Sequence, residues 1–132
     1  MNQTNNQKDF DEAVLLASLG GPFPLDKVKL LIAGGADITA TNDEGKSALH
    51  VAAHGDNAEL VSLLLTAGAI ANAKDINGWT ALHYAALTGN TDIVSTLLSA
   101  GADGAAKTND GSTVMDIAQV NGHLLKVGLL LR

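Results

Sequence analysis

The sequence predicts an all-α solenoid in which short helix pairs stack on one another. Three observations lead to that reading. One stretch, residues 78–103 (GWTALHYAALTGNTDIVSTLLSAGAD), holds a complete pair of short helices. A pair of that size cannot bury its own apolar faces and needs neighbours to pack on. Copies of it recur at a period of 33 residues: Gly45, Gly78 and Gly111; Ser47, Thr80 and Thr113; Ala52, Ala85 and Ala118; Val61, Val94 and Val127. A repeat of this length is the signature of a chain built from stacked supersecondary units.

The elements follow in order. Residues 1–8 are polar and are expected to fray as an N-terminal tail. Residues 9–132 form a single repeat domain, with units at about 9–41, 42–74, 75–107 and 108–132. In the first unit AVLLASL reads as the first helix and DKVKLLIAGGADI as the second helix and turn, with Val28, Leu31 and Ile32 in phase with Val61, Leu64 and Leu65. The connecting GGPFP makes this loop about two residues longer than in the other units. Pro22 and Pro24 stiffen it, and Phe23 is either tucked under the unit or exposed. This unit also lacks a SALH-type start, which suits a terminal cap.

The second unit carries Gly55-Asp56 where the third has Thr88-Gly89. Asp56 or Asn57 is therefore expected to take the left-handed conformation in place of glycine. The third unit is the most regular. Thr80 is placed to cap its first helix, because a side-chain hydroxyl accepts from an orphan first-turn amide. Gly89 ends that helix, and Ile93, Val94, Leu97 and Leu98 form one apolar stripe on the next. Leu64 and Leu97, in phase on second helices between neighbouring units, are expected core residues. The fourth unit replaces TALHYAA with TVMDIAQ and ends in a helix over residues 124–131.

Composition narrows the function. A formal net charge of −6, from 8 basic and 14 acidic residues, argues against a nucleic-acid or anionic-membrane partner. With no cysteine there is no disulfide framework and no thiolate chemistry. No apolar run reaches the length of a membrane span, and the polar start lacks the plan of a secretory signal. The expected location is cytoplasmic. No phosphate-binding glycine loop, serine elbow or HExxH pattern occurs, and no cofactor is expected.

The strings SALHVAA and TALHYAA resemble the T-P-L-H-x-A signature of ankyrin repeats, and the resemblance covers about residues 9–132. It implies antiparallel helix layers with hairpin-like loops projecting at right angles. It further implies that another protein binds on the concave side made by loop tips and first helices. Carried onto this chain, the tips are Asp43-Glu44-Gly45-Lys46, Ile76-Asn77-Gly78-Trp79 and Asn109-Asp110-Gly111-Ser112, flanked by Thr41, Lys74 and Lys107. The exposed parts of the first helices include His54, Leu87, Thr88, Val120 and Asn121. The candidate partner-binding residues are Asp43, Glu44, Lys46, His54, Lys74, Ile76, Asn77, Trp79, Leu87, Thr88, Asn109 and Asp110. An apolar centre at Ile76, Trp79 and Leu87 with a charged flank matches the usual anatomy of an interface, and the opposite face has no comparable pair of exposed large apolar residues.

Particular side chains carry competing readings. In the family, the histidine at the positions of His50 and His83 is structural and bonds to Ser47 or Thr80 and to the neighbouring loop backbone. His50 and His54 lie four residues apart on one helix face, but two histidines without a third ligand make a poor metal site, and none is assigned. Asp116 replaces the histidine in the fourth unit and either contacts Thr113 or faces solvent. Trp79 either anchors a partner or packs on its own repeat. Tyr84 reads as packing at the core edge. Asn72 resembles the position hydroxylated in some eukaryotic ankyrin proteins, but Thr39 and Ala105 in the flanking units make it a turn-forming residue here.

Members of the family share shape and not chemistry. The leading reading is a monomeric, non-catalytic protein–protein interaction module. The alternative is a small dedicated inhibitor or antidote that blocks one enzyme or toxin. An enzyme ranks last, because no nucleophile–base pair stands outside the repeat template.

Overall fold

The computed structural model describes residues 3–18 and 25–131. Within them eight α-helices run in order: α1 (Gln3–Ser18), α2 (Leu25–Ala33), α3 (Ala48–Ala53), α4 (Ala58–Thr66), α5 (Ala81–Thr88), α6 (Thr91–Ser99), α7 (Val114–Val120) and α8 (Leu124–Leu130). Consecutive helices pair, the first helices α1, α3, α5 and α7 stack as one layer, and α4, α6 and α8 stack as a second. The described residues contain no sheet, only an isolated bridge between Lys107 and Thr113 at the last tip. The architecture is the all-α repeat fold expected from the sequence.

The core follows the 33-residue phase. Ala52, Ala85 and Ala118 are fully buried, and so are Val28, Val61, Val94 and Val127. The small alanines let neighbouring first helices approach closely, and the valines fill the seam to the second layer. Leu64 and Leu97 are completely buried, as are Leu60 and Ile93 beside them.

Local caps set the helix starts. Ser47, Thr80 and Thr113 each sit at an N-cap, with the residue three further on closing a capping box from its side chain. That residue is His50, His83 or Asp116, in place of the usual Glu or Gln. Asp116 does both things considered for it: its carboxylate accepts from the Thr113 amide at 2.9 Å, and the residue is solvent-exposed. The second helices use asparagine. Asn57 and Asn90 accept from the amides of Leu60 and Ile93, each at 3.1 Å.

Two local expectations need correcting, and a third lies beyond what the structure describes. Residues 3–8 are part of a helix, since α1 begins at Gln3 and is about twice as long as the AVLLASL segment. The Gln7 side chain accordingly reaches across the first unit, accepting from the Asp37 amide at 2.7 Å and donating to its carbonyl at 3.1 Å. Neither Asp56 nor Asn57 is left-handed, because no described residue other than glycine has a positive φ. Instead α3 ends two residues earlier than α5, with His54 as a right-handed C-cap, so the early glycine requires no left-handed replacement. The GGPFP loop, with Pro22, Phe23 and Pro24, lies outside the described residues.

Candidate functional site

The three loop tips share one backbone plan, in which the amide of the first residue donates to the carbonyl four residues on. Asn42, Asp75 and Thr108 stand in phase at the start of each tip. The Asn42 side chain accepts from the amides of Glu44 and Lys46 at 2.9 and 3.0 Å. Asp75 accepts from Asn77 and Trp79 at the same two distances, and Thr108 accepts from Ser112 at 3.1 Å. In the first two tips a side-chain acceptor bonded to amides two and four residues ahead closes the turn; in the third, Thr108 meets only the second of these and Asp110 adds an acceptor for the same Ser112 amide.

Successive tips are then joined to one another. The Ile76 amide donates to the Glu44 carbonyl at 2.9 Å, and the Asn109 amide donates to the Asn77 carbonyl at 3.0 Å. The Asn109 side chain also donates to the Ile76 carbonyl at 2.9 Å, and the Lys74 ammonium to the Lys107 carbonyl at 3.1 Å. Gly78 makes room for this: a Cβ there would lie 2.7 Å from the Asn109 backbone nitrogen. Lower down, Asn72 is more than a turn residue, since its amide accepts from Asp103 at 2.7 Å and donates to the Gly101 carbonyl at 3.1 Å.

The two buried histidines tie each first helix to the following loop. His50 Nδ1 accepts from the Ser47 amide at 3.1 Å, so the ring proton resides on Nε2 and points to the Trp79 carbonyl 2.9 Å away. His83 repeats the arrangement with the Thr80 amide at 3.0 Å and the Ala106 carbonyl at 3.1 Å. Burial pushes both imidazoles below the ordinary histidine range, outweighing the carbonyl contacts that favour a charged ring. Both rings are therefore neutral struts with their nitrogens occupied by the backbone, as the family resemblance implied. Among the described residues no group of three His, Cys, Asp or Glu side chains is placed to hold a metal ion.

Tyr84 joins aromatic side chains of the second and third units. It is buried, its hydroxyl donates to the Asp75 carboxylate, and three rings surround it. Trp79 lies 4.9 Å from it between centroids, His54 5.3 Å, and His50 meets it edge-on at 5.9 Å. Burial and the bond to Asp75 push the phenol well above its usual range. Burial raises Asp75, but the Tyr84 hydroxyl and the Trp79 and Asn77 amides outweigh it and hold the carboxyl below the ordinary value.

The twelve candidate residues divide on this framework. Asp43, Glu44, His54, Lys74, Ile76, Asn77, Thr88, Asn109 and Asp110 are exposed, with Ile76 at 64% of its full exposure. Lys46, Trp79 and Leu87 are half-buried. The Trp79 ring packs on its own repeat, against Tyr84 and against His83 at 5.8 Å. Leu87 likewise packs against the core and does not stand free at the helix end. The Asp110 carboxylate is turned back onto Thr108 and the Ser112 amide of its own tip.

Two clefts open between the tips and the first helices. One, of about 260 Å³, runs along α1 and is lined by Asp11, Val14, Leu15, Ala48 and Val51. The other, of about 370 Å³, is lined by Glu44, His50, His54 and Tyr84. Leu15, Asn42, Lys46 and Val51 line both. Leu15, Val51 and Tyr84 were not candidates from the sequence. Val51, Tyr84 and Ile117 share one phase position, and the aromatic among aliphatics was the available signal. The sequence reading also missed apolar surface elsewhere. Leu125 and Leu129 on α8 are 80% and 58% exposed, so the second-helix side does carry a pair of exposed large apolar residues.

Comparison with protein families matches residues 14–108 to a model of three ankyrin repeats. The chain belongs to the ankyrin repeat family. A search of curated proteins finds no match. Ankyrin repeats generally mediate protein–protein interactions, and none of the helices described is long and apolar enough to cross a membrane.

Proposed function

We propose that this protein is a non-catalytic interaction module that binds another protein on the concave surface formed by its tips and first helices, chiefly in the second and third units. The observation that carries the reading is the hydrogen-bonded ladder from Glu44 through Ile76 and Asn77 to Asn109. A tip row held by its neighbours loses little conformational freedom on binding, so more of the contact energy appears as affinity. The row presents Ile76 among Asp43, Glu44, Lys74 and Asn109, an apolar point within a polar rim. The buried histidines point away from catalysis, because the backbone occupies both nitrogens of each ring.

The test is to isolate the partner from the native host and map its footprint by hydrogen exchange. Protection at residues 43–54 and 76–88 is expected. Protection confined to α4, α6 and α8 overturns the assignment. A single stoichiometric enzyme, inactive in the complex, would identify the module as a dedicated inhibitor.

A further inference from the structure

The cleft at Tyr84 holds a cation of the chain's own. Lys46 places its ammonium 5.4 Å from the Tyr84 ring centroid and 3.7 Å from Glu44 Oε1. The ring is a fixed platform, held by Trp79, His54 and the edge of His50. Its hydroxyl donates to Asp75, and a hydrogen bond to a carboxylate makes the π face richer in electrons. Ring face, Glu44 and Asp75 together form a receptor for a positive group, in a chain whose formal net charge is −6.

Lys46 occupies this receptor loosely. Glu44 is largely exposed, and an ion pair in that setting contributes little. Lys46 also stands where the two clefts meet, between the aromatic end and the apolar floor of Leu15 and Val51. Among the described residues lining the groove it is the only lysine or arginine, whereas Asp11 and Glu44 are acidic. The arrangement occurs once. Trp79 and Ser112 replace Lys46 in the following units, and Val51 and Ile117 replace Tyr84.

Resting on the concave-surface reading, we infer that Lys46 is an internal stand-in, and that the partner is a protein segment carrying an arginine or lysine beside an apolar residue. The partner's cation displaces Lys46 from Tyr84 and pairs with Glu44, and its apolar neighbour lies on Leu15 and Val51. Arginine fits best, because its planar guanidinium stacks on the ring while an edge N–H reaches the carboxylate.

The test uses a display library of random ten-residue peptides panned against the folded protein. Selected peptides are then measured by calorimetry and located by amide chemical shifts. Enriched peptides are expected to carry Arg or Lys next to an apolar residue and to shift Glu44, Lys46, Val51 and Tyr84. Replacing that Arg by neutral citrulline, or making Glu44→Gln, should weaken binding about three- to fivefold, as expected for a partly exposed cation–π and ion-pair site. Lys46→Met should tighten it by a similar factor, because the competing ammonium is gone. Glu44 is exposed and Lys46 half-buried, and unchanged circular dichroism verifies the fold of both variants. Peptides without basic residues, citrulline peptides of equal affinity, weaker binding by Lys46→Met, or no enrichment at all would overturn the inference. Uncharged peptides that still shift His54 and Ile76 would overturn it while leaving the concave-surface reading standing. Peptides that shift only α6 and α8 would sink both.

Discussion

His50 Nε2 lies 2.9 Å from the carbonyl oxygen of Trp79, in the next repeat. The same ring accepts from Ser47 at the start of its own helix. One side chain thus fixes a helix start and the following loop together; His83 caps the Thr80 helix start in the same way, but its Nε2 meets Ala106, a carbonyl in the last loop of its own unit. A cap that also crosses a repeat boundary couples neighbouring units, the condition for a linear array to unfold cooperatively.

Removing such a strut should be costly. His83→Ala leaves the Ala106 carbonyl and Thr80 amide unmet and opens a cavity, an expected loss of about 2–4 kcal/mol. Urea denaturation measures it, and a loss below about 0.5 kcal/mol would show that the strut carries no weight.

The struts also predict a pH dependence. Burial lowers both histidines in the folded chain, whereas unfolded histidine titrates near 6.5. Below that value the unfolded chain takes up protons that the folded chain refuses. The stabilisation is therefore complete above about pH 6.5 and is lost as pH falls from there through the depressed folded values. Urea midpoints at pH 8, 6.5 and 5 should decline in that order. The decline should be shallower in a folded variant with His83→Gln, and an equal slope would contradict the assignment.

Gly78 and Gly111 occupy the same tip position with φ of +78° and +85°, but only Gly78 has the next tip against it. Alanine at either position bears the left-handed strain of about 1–2 kcal/mol. Gly78→Ala must also push Asn109 away, and should cost about 1–3 kcal/mol more. Thermal melts of the two variants compare them directly, and equal losses would mean the tip ladder is not stabilising.

Trp79 and Ile76 should separate packing from recognition. Trp79→Ala removes a ring lying on Tyr84 and His83, and should destabilise the fold by about 2–4 kcal/mol, near the usual range for a large aromatic. Ile76→Ala, at an exposed tip, should change stability by less than about 0.5 kcal/mol. Any loss of partner affinity from Ile76→Ala then reports contact, whereas Trp79→Ala must be read against its own stability loss.

Leu64→Ala and Leu97→Ala, at fully buried positions, should each cost about 2–5 kcal/mol by chemical denaturation. The same change at Leu125, which is 80% exposed, should cost far less.

The sequence by itself determined the repeat, its phase and its core. Val61, Val94 and Val127 recur at one spacing, and a spacing that stacks units must put them in one seam. Thr80, Gly89 and the two SALH/TALH histidines were legible for a related reason: caps and turns are chemistry within a few residues. The second-helix caps Asn57 and Asn90, also local, were passed over. Only the tertiary structure decided how Trp79 faces, where Asn72 reaches and what lies over Tyr84. Each depends on groups brought together from a neighbouring unit or from the far end of a loop. Trp79 meets Tyr84 because Asp75 folds the tip back, and Asn72 finds Asp103 because two turns stack. Lys46 reaches the Tyr84 ring from another repeat, a distance in space that no periodicity along the chain encodes.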